Sequence, residues 1–205
     1  SYLVTVGGAS ESGSGISMKT DDGKDVTESN SDEYITYVSG SGTSATTYYY
    51  FRRHLGNPDT VGKVNATPVG AEYLPQNVKF YDINTNVVGK ATYFDENTTQ
   101  AEKEARIASI IAAKGAACNV SSFNGRANVG YNYEGGEEGA AKKSVYFQAN
   151  DNVRENTVIL MECDYGSATY GVIVEFVPNM LTGIEIAPES GTPPLDTRAD
   201  SSGVT

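Results

Sequence analysis

The sequence predicts a mainly β chain, an antiparallel β-sandwich or barrel with one α-helix packed on a sheet and an extended C-terminal arm. Three observations carry this expectation. Short runs of β-branched and aromatic residues recur between Gly, Ser, Asn and Pro breaks, one stretch has helical spacing with end signals, and strand patterning stops near Pro178. At 205 residues a single all-β core is the default, so residues 1–177 are assigned to one domain and 178–205 to the arm.

In chain order, YLVTV (2–6), ISMKT (16–20) and YITYV (34–38) read as strands, with GGASESGSG as a loop and Asp22-Gly23 as a hairpin turn, because glycine reaches positive φ without steric cost. Residues 56–76 carry Pro58, Pro68 and Pro75 and should be irregular apart from a short strand near TVGKVN. VKFYDI and VVGKATYF are expected to form a second hairpin around NTN.

The helix is expected over about 99–114. Thr99 and Glu102 form a capping box, Lys114 suits the C-terminal end of the dipole, and Gly115 supplies a left-handed stop. Ile107, Ile110 and Ile111 mark the apolar side, Ala101, Ala105, Ala108 and Ala112 a small-residue stripe open to close approach, and Glu102 with Arg106 the wet face. ANVGYNYE, KSVYFQA, NTVILMEC and ATYGVIVEF then return to strands. NTVILMEC is apolar on both faces and should be central and covered on both sides, while ATYGVIVEF should be half-buried, with Tyr170, Val172, Val174 and Phe176 on the core face and Ile173 and Glu175 opposite. In the arm, LTGIEIAP (181–188) resembles, over eight residues, the opening strand of bacterial immunoglobulin-like repeats. The polar, proline-bearing remainder is expected to lie on another subunit.

Charge narrows the function classes. With 15 basic and 26 acidic residues and a net charge of -11, the field repels phosphate backbones and anionic lipid, which argues against a nucleic-acid binder or a membrane-surface protein. No run approaches the ~18 apolar residues of a membrane span. The opening SYLVTVGG lacks the flank and length of a signal peptide, so a soluble chain is expected, its initiator methionine or a leader already removed. Cys118 and Cys163 stand in no C-x-x-C pair and are read as buried thiols, with a structural disulfide as the alternative.

Catalytic and cofactor signals are sparse. His54 is the only histidine and sits beside Arg52 and Arg53, so a multi-histidine metal site is ruled out and an interface or solvent role is expected. No G-x-S-x-G occurs, and GGEEGAAKKS (135–144) lacks the ending of a phosphate loop and carries Glu137 and Glu138, so it is read as an exposed hairpin loop. Asp82, Asn84 and Asn86 have the spacing of a calcium loop, but Val87 and Tyr93 replace its glycine and glutamate, which favours an Asx-type turn. The Asn-x-Ser/Thr triplets at Asn65, Asn97 and Asn119 are no more than this composition supplies by chance. Glu162, Asp164 and Glu175 lie in neighbouring strands and could provide a glycosidase pair if two carboxylates approach to about 5–10 Å. No catalytic, cofactor-binding or metal residue is assigned, and no cofactor is expected.

TTYYYFRRH (46–54) is the densest signal. As a strand it points Tyr48, Tyr50 and Arg52 one way and Tyr49, Phe51 and Arg53 the other, so both faces are aromatic and something must cover the second. A base-stacking platform conflicts with the acidic charge, while a sugar platform is compatible but weakened by the absence of tryptophan. Tyr48, Tyr49, Tyr50, Phe51 and Arg52 are therefore assigned to self-association, the alternative being a core strand whose tyrosine hydroxyls reach the edge. The sequence thus points to a non-enzymatic structural subunit of a self-assembling particle or filament: a virion protein (capsid, decoration, tail-tube or fibre) or a microbial surface polymer. Its partners would be copies of itself and other subunits of the same assembly, without sequence-specific nucleic acid or membrane, in a virion or at the cell surface. A secreted carbohydrate-binding or adhesin module and a glycoside hydrolase are the alternatives.

Overall fold

A computed structural model of the chain describes residues 15–27, 31, 33–55, 62–69, 75–89, 91, 94–149 and 155–178. Among the described residues nine strands form two sheets. They are β1 (Ile16–Thr20), β2 (Glu33–Ser39), β3 (Thr46–His54), β4 (Lys63–Pro68), β5 (Gln76–Asp82), β6 (Ala127–Tyr133), β7 (Lys142–Ala149), β8 (Thr157–Tyr165) and β9 (Ala168–Val177). The α-helices among the described residues are a single turn, α1 (Thr85–Val88), and α2 (Gln100–Ala112). The five-stranded sheet has the order β2-β3-β9-β8-β5 and the four-stranded sheet β1-β4-β7-β6.

Every neighbouring pair is antiparallel except β3 with β9, which run parallel from Thr47↔Tyr170 to His54↔Val177. Strands so distant in sequence need no hairpin to join them, which removes the constraint that makes local pairs antiparallel. The architecture is the expected β-sandwich with one long helix against a sheet. Among the described residues no helix is long and apolar enough to cross a membrane.

Two apolar cores result. Between the sheets, Met18, Val64, Val145 and Phe147 meet Phe51, Met161, Val174 and Phe176. On the other side of the five-stranded sheet, Ile107 and Ile110 of α2 press onto Tyr48, Tyr50, Leu160 and Ile173. The strands β3, β8 and β9 feed alternate residues to both cores, as a period of two requires of a doubly covered strand. This bears out the reading of NTVILMEC and corrects that of ATYGVIVEF. β9 is buried on both faces, because α2 covers the side that carries Ile173 and Glu175.

Local chemistry explains the remaining differences. The Asp22-Gly23 turn forms as expected, with Gly23 at φ +84 and the Thr20 amide donating to the Lys24 carbonyl at 2.8 Å. The NTN hairpin does not form. The Asn84 side chain accepts the Asn86 amide at 2.8 Å and caps the turn α1, so Val87 and Val88, expected to open the second strand, are helical; Lys90, Thr92 and Tyr93 lie outside the described residues. The α2 capping box is present, with Thr99 and Glu102 exchanging bonds of 2.9 and 3.1 Å. At the other end Gly115 is not left-handed; the helix closes at Ala113, whose amide reaches the Ser109 and Ile110 carbonyls. Ala101, Ala105 and Ala112 of the small-residue stripe face solvent. The strand-like YLVTV and the arm from 179 onward lie outside the described residues.

Candidate functional site

The aromatic strand is where the sequence reading needs its largest correction. Tyr48, Tyr50, Phe51 and Arg52 are all buried within the chain, and Tyr49 is half-buried with its hydroxyl accepting the Ile16 amide at 3.2 Å. The cover that sequence assigned to neighbouring copies comes from this chain: the four-stranded sheet on one face and α2 on the other. The five residues are thus core and positioning residues, as the core-strand alternative had it.

Their face under α2 carries a buried polar cluster. Glu175, near the C-terminal end of β9, is 0% exposed, as is Arg52 of β3 beside it. The Tyr50 hydroxyl donates to Glu175 Oε1 at 2.5 Å and accepts from Arg52 Nε at 2.8 Å. Arg52 Nη2 lies 3.3 Å from the same oxygen. Arg106, expected on the wet face, instead turns inward and donates from Nη2 to Glu175 Oε2 at 2.5 Å and from Nη1 to the Val88 carbonyl at 2.7 Å. Asn156 Nδ2 completes the shell at 3.1 Å, and the Arg52 guanidinium stacks 3.6 Å from the Phe94 ring centre.

A buried carboxylate demands this much company, since an unpaired charge there would not stay ionised. Burial alone would raise the Glu175 carboxyl; the Arg106 hydrogen bonds and the charges of Arg52 and Arg106, with the Tyr50 bond, outweigh it and hold the group below its ordinary value. Burial, then the Glu175 charge, push the Tyr50 phenol far above its usual range. The cluster fastens α2 and the α1 turn to the sheet. Sequence reasoning missed it, although its signal was present: an acid amid VIVEFV and an arginine amid YYYF each sit where only a buried partner could satisfy them.

The other carboxylates considered for catalysis are held elsewhere. Glu162 accepts from Tyr48 at 2.8 Å and Lys114 at 2.9 Å, and Asp164 from Asn77 at 2.7 Å. Glu162 stands opposite Gly171 and Glu175 opposite Val158, four residues apart along the sheet, or roughly 13 Å at the strand rise. That exceeds the separation a glycosidase pair needs, and Glu175 has no exposed surface. Asp82 is engaged by Arg126 at 2.6 and 3.1 Å. Among the described residues no group of three or more His, Cys, Asp or Glu could hold a metal ion. Both cysteines are free; Cys163 is buried, and burial with the neighbouring acids pushes its thiol up to about 12. His54 is half-buried at the end of β3.

Two surface features remain. The first is the outer edge of β2, which pairs with β3 in unbroken register from Glu33↔Arg52 to Ser39↔Thr46. It has no proline, lysine or bulge; its one charge, Glu33, is buried and paired with Lys103 at 3.2 Å. Thr36 and Val38 are exposed, Val38 at 55%. The β5 and β1 edges are blunted. β5 has a register shift between Gln76 and Lys79 and receives the Cys118 amide on the Phe80 carbonyl. β1 is flanked by the returning chain, with the Val26 amide on the Met18 carbonyl. β6 pairs with β7 in unbroken register over Ala127–Asn132 and shifts only at Tyr133, with the Tyr146 ring over the sheet face at Gly130. Among the described residues no backbone segment bonds to the outer side of β2.

The second feature is a cavity of about 550 Å³ beside the outer face of the four-stranded sheet, lined by Lys19, Asp21, Lys63, Asn65, Asn132 and Ser144 among others. Asn132 donates to Asn65 at 3.0 Å and to Ser144 at 2.7 Å.

No protein-family model, curated protein or solved structure matches the chain.

Proposed function

We propose that the protein is a non-enzymatic structural subunit that assembles with copies of itself into a particle or filament, as a virion component or a microbial surface polymer. The observation that carries the reading is the β2 edge: seven residues of regular strand without proline, lysine or bulge, on whose outer side no backbone segment bonds among the described residues. Unpaired edges of this kind are templates for strand addition, and natural monomers normally blunt them with lysine, proline or bulges. A net charge of -11 suits a shell or conduit past which nucleic acid moves without sticking.

Sedimentation over a concentration series tests the reading. Species larger than one chain are expected at micromolar concentration, and a compact monomer at every concentration would end it. The polar cavity beside the four-stranded sheet favours a second reading, a carbohydrate-binding module. Retention of a glycan on an array, lost in Asn132→Ala, would put that reading first.

A further inference from the structure

The β2 edge is self-complementary. Its residues Tyr34, Ile35, Thr36, Tyr37 and Val38, laid antiparallel against a second copy about Thr36, give the pairs Tyr34 with Val38, Ile35 with Tyr37 and Thr36 with Thr36. These are aromatic/β-branched pairs and a threonine pair, the cross-strand combinations that stabilise antiparallel ladders. Face parity agrees as well. Tyr34 packs at the inter-sheet core and Ile35 and Tyr37 at the core under α2, and the register joins even-numbered to even-numbered and odd to odd. Each core would therefore continue across the junction on its own side of the sheet.

We propose that two copies join edge to edge through β2, antiparallel and centred on Thr36, so that the five-stranded sheets become one sheet of twice the width. This rests on the self-assembly reading and names its first contact. The half-buried Tyr34, Ile35 and Tyr37 and the exposed Val38 gain cover, and the strand's outward amides and carbonyls gain partners. The contact involves no charge of β2, because Glu33 is already neutralised by Lys103. That matters in a chain of net charge -11, where approach of like copies is opposed at long range and the contact must work through short-range groups.

Cysteine placement reads the register directly. In a Cys118→Ser background, Thr36→Cys puts the thiol on the two-fold axis. There it meets its own counterpart with Cα atoms about 4.5–5.5 Å apart, within disulfide range. Val38→Cys instead faces Tyr34 of the other copy and lies roughly 13 Å from its own counterpart. Mild oxidation is expected to convert Thr36→Cys, but not Val38→Cys, into a covalent dimer. Thr36→Lys, which sets like charges opposite each other, is expected to weaken association by roughly tenfold or more, while Asn128→Lys on the β6 edge leaves it unchanged. If the wild type associates but Thr36→Cys does not cross-link, or if Asn128→Lys rather than Thr36→Lys dissociates it, the β2 contact is wrong and the assembly reading survives through another surface. If the wild type is monomeric throughout, both fall.

Discussion

Glu175 shows how one side chain organises its surroundings. A carboxylate with no exposure is tolerable only because Tyr50, Arg52, Arg106 and Asn156 converge on its two oxygens. Glu175→Gln keeps the shape and removes the charge, leaving two arginines facing a neutral amide, and should destabilise the fold by about 3–5 kcal/mol at neutral pH. The pH dependence follows from the direction of its shift. A carboxyl held below its ordinary value in the folded chain contributes stability that is complete above the unfolded value, near 4.3, and is lost as pH falls through the folded value. Urea midpoints of wild type and Glu175→Gln should therefore lie far apart at pH 7 and converge below about pH 4. A gap that stays constant with pH would mean that the loss comes from packing instead of charge.

At the scale of elements, α2 is anchored by two devices of different visibility. Its start is written in local sequence: Thr99 and Glu102 close the capping box as their spacing requires. Thr99→Ala should lower stability by about 1 kcal/mol, read as a shift in denaturant midpoint, with Thr99→Ser recovering most of it. Full retention of stability in Thr99→Ala would show that tertiary contacts alone hold the first turn. Its docking was not legible. Glu102 and Arg106 have the i to i+4 spacing of an exposed pair, yet Glu102 serves the cap and Arg106 reaches a residue on β9, 69 positions away. The same division runs through the molecule. Alternation placed Tyr170, Val172, Val174 and Phe176 on one face because a strand's period is local. What covers the other face is decided by long-range packing, so YYYF looked like an outer surface when it was the floor of a second core. At NTN the local signals conflicted, and the Asn84 side-chain bond selected a helical turn over a hairpin. The β2 edge lay in view as YITYV, but only the order of strands reveals that it is an edge at all.

Across the whole molecule, the five-stranded sheet shared by both cores makes the layers interdependent. Ile173 and Phe176 lie three residues apart on β9 and face opposite ways, one beneath α2 and the other between the sheets. Loss of either core would strip one face of β3, β8 and β9, whose residues are apolar on both sides, so neither layer has a stable state without the other. Ile173→Ala should cost about 2–5 kcal/mol and Phe176→Ala about 3–5 kcal/mol, and each should move one common unfolding transition. The buried cluster reinforces the coupling, since Arg106 on the helix and Glu175 on the central strand separate only if a charge is left unpaired in the interior. Far-ultraviolet and near-ultraviolet circular dichroism, reporting backbone and aromatic packing, should therefore melt together in the wild type and in both variants. An Ile173→Ala protein that loses helical signal at a lower temperature while its tyrosine signal persists would show that α2 is a detachable layer on an independently stable sandwich.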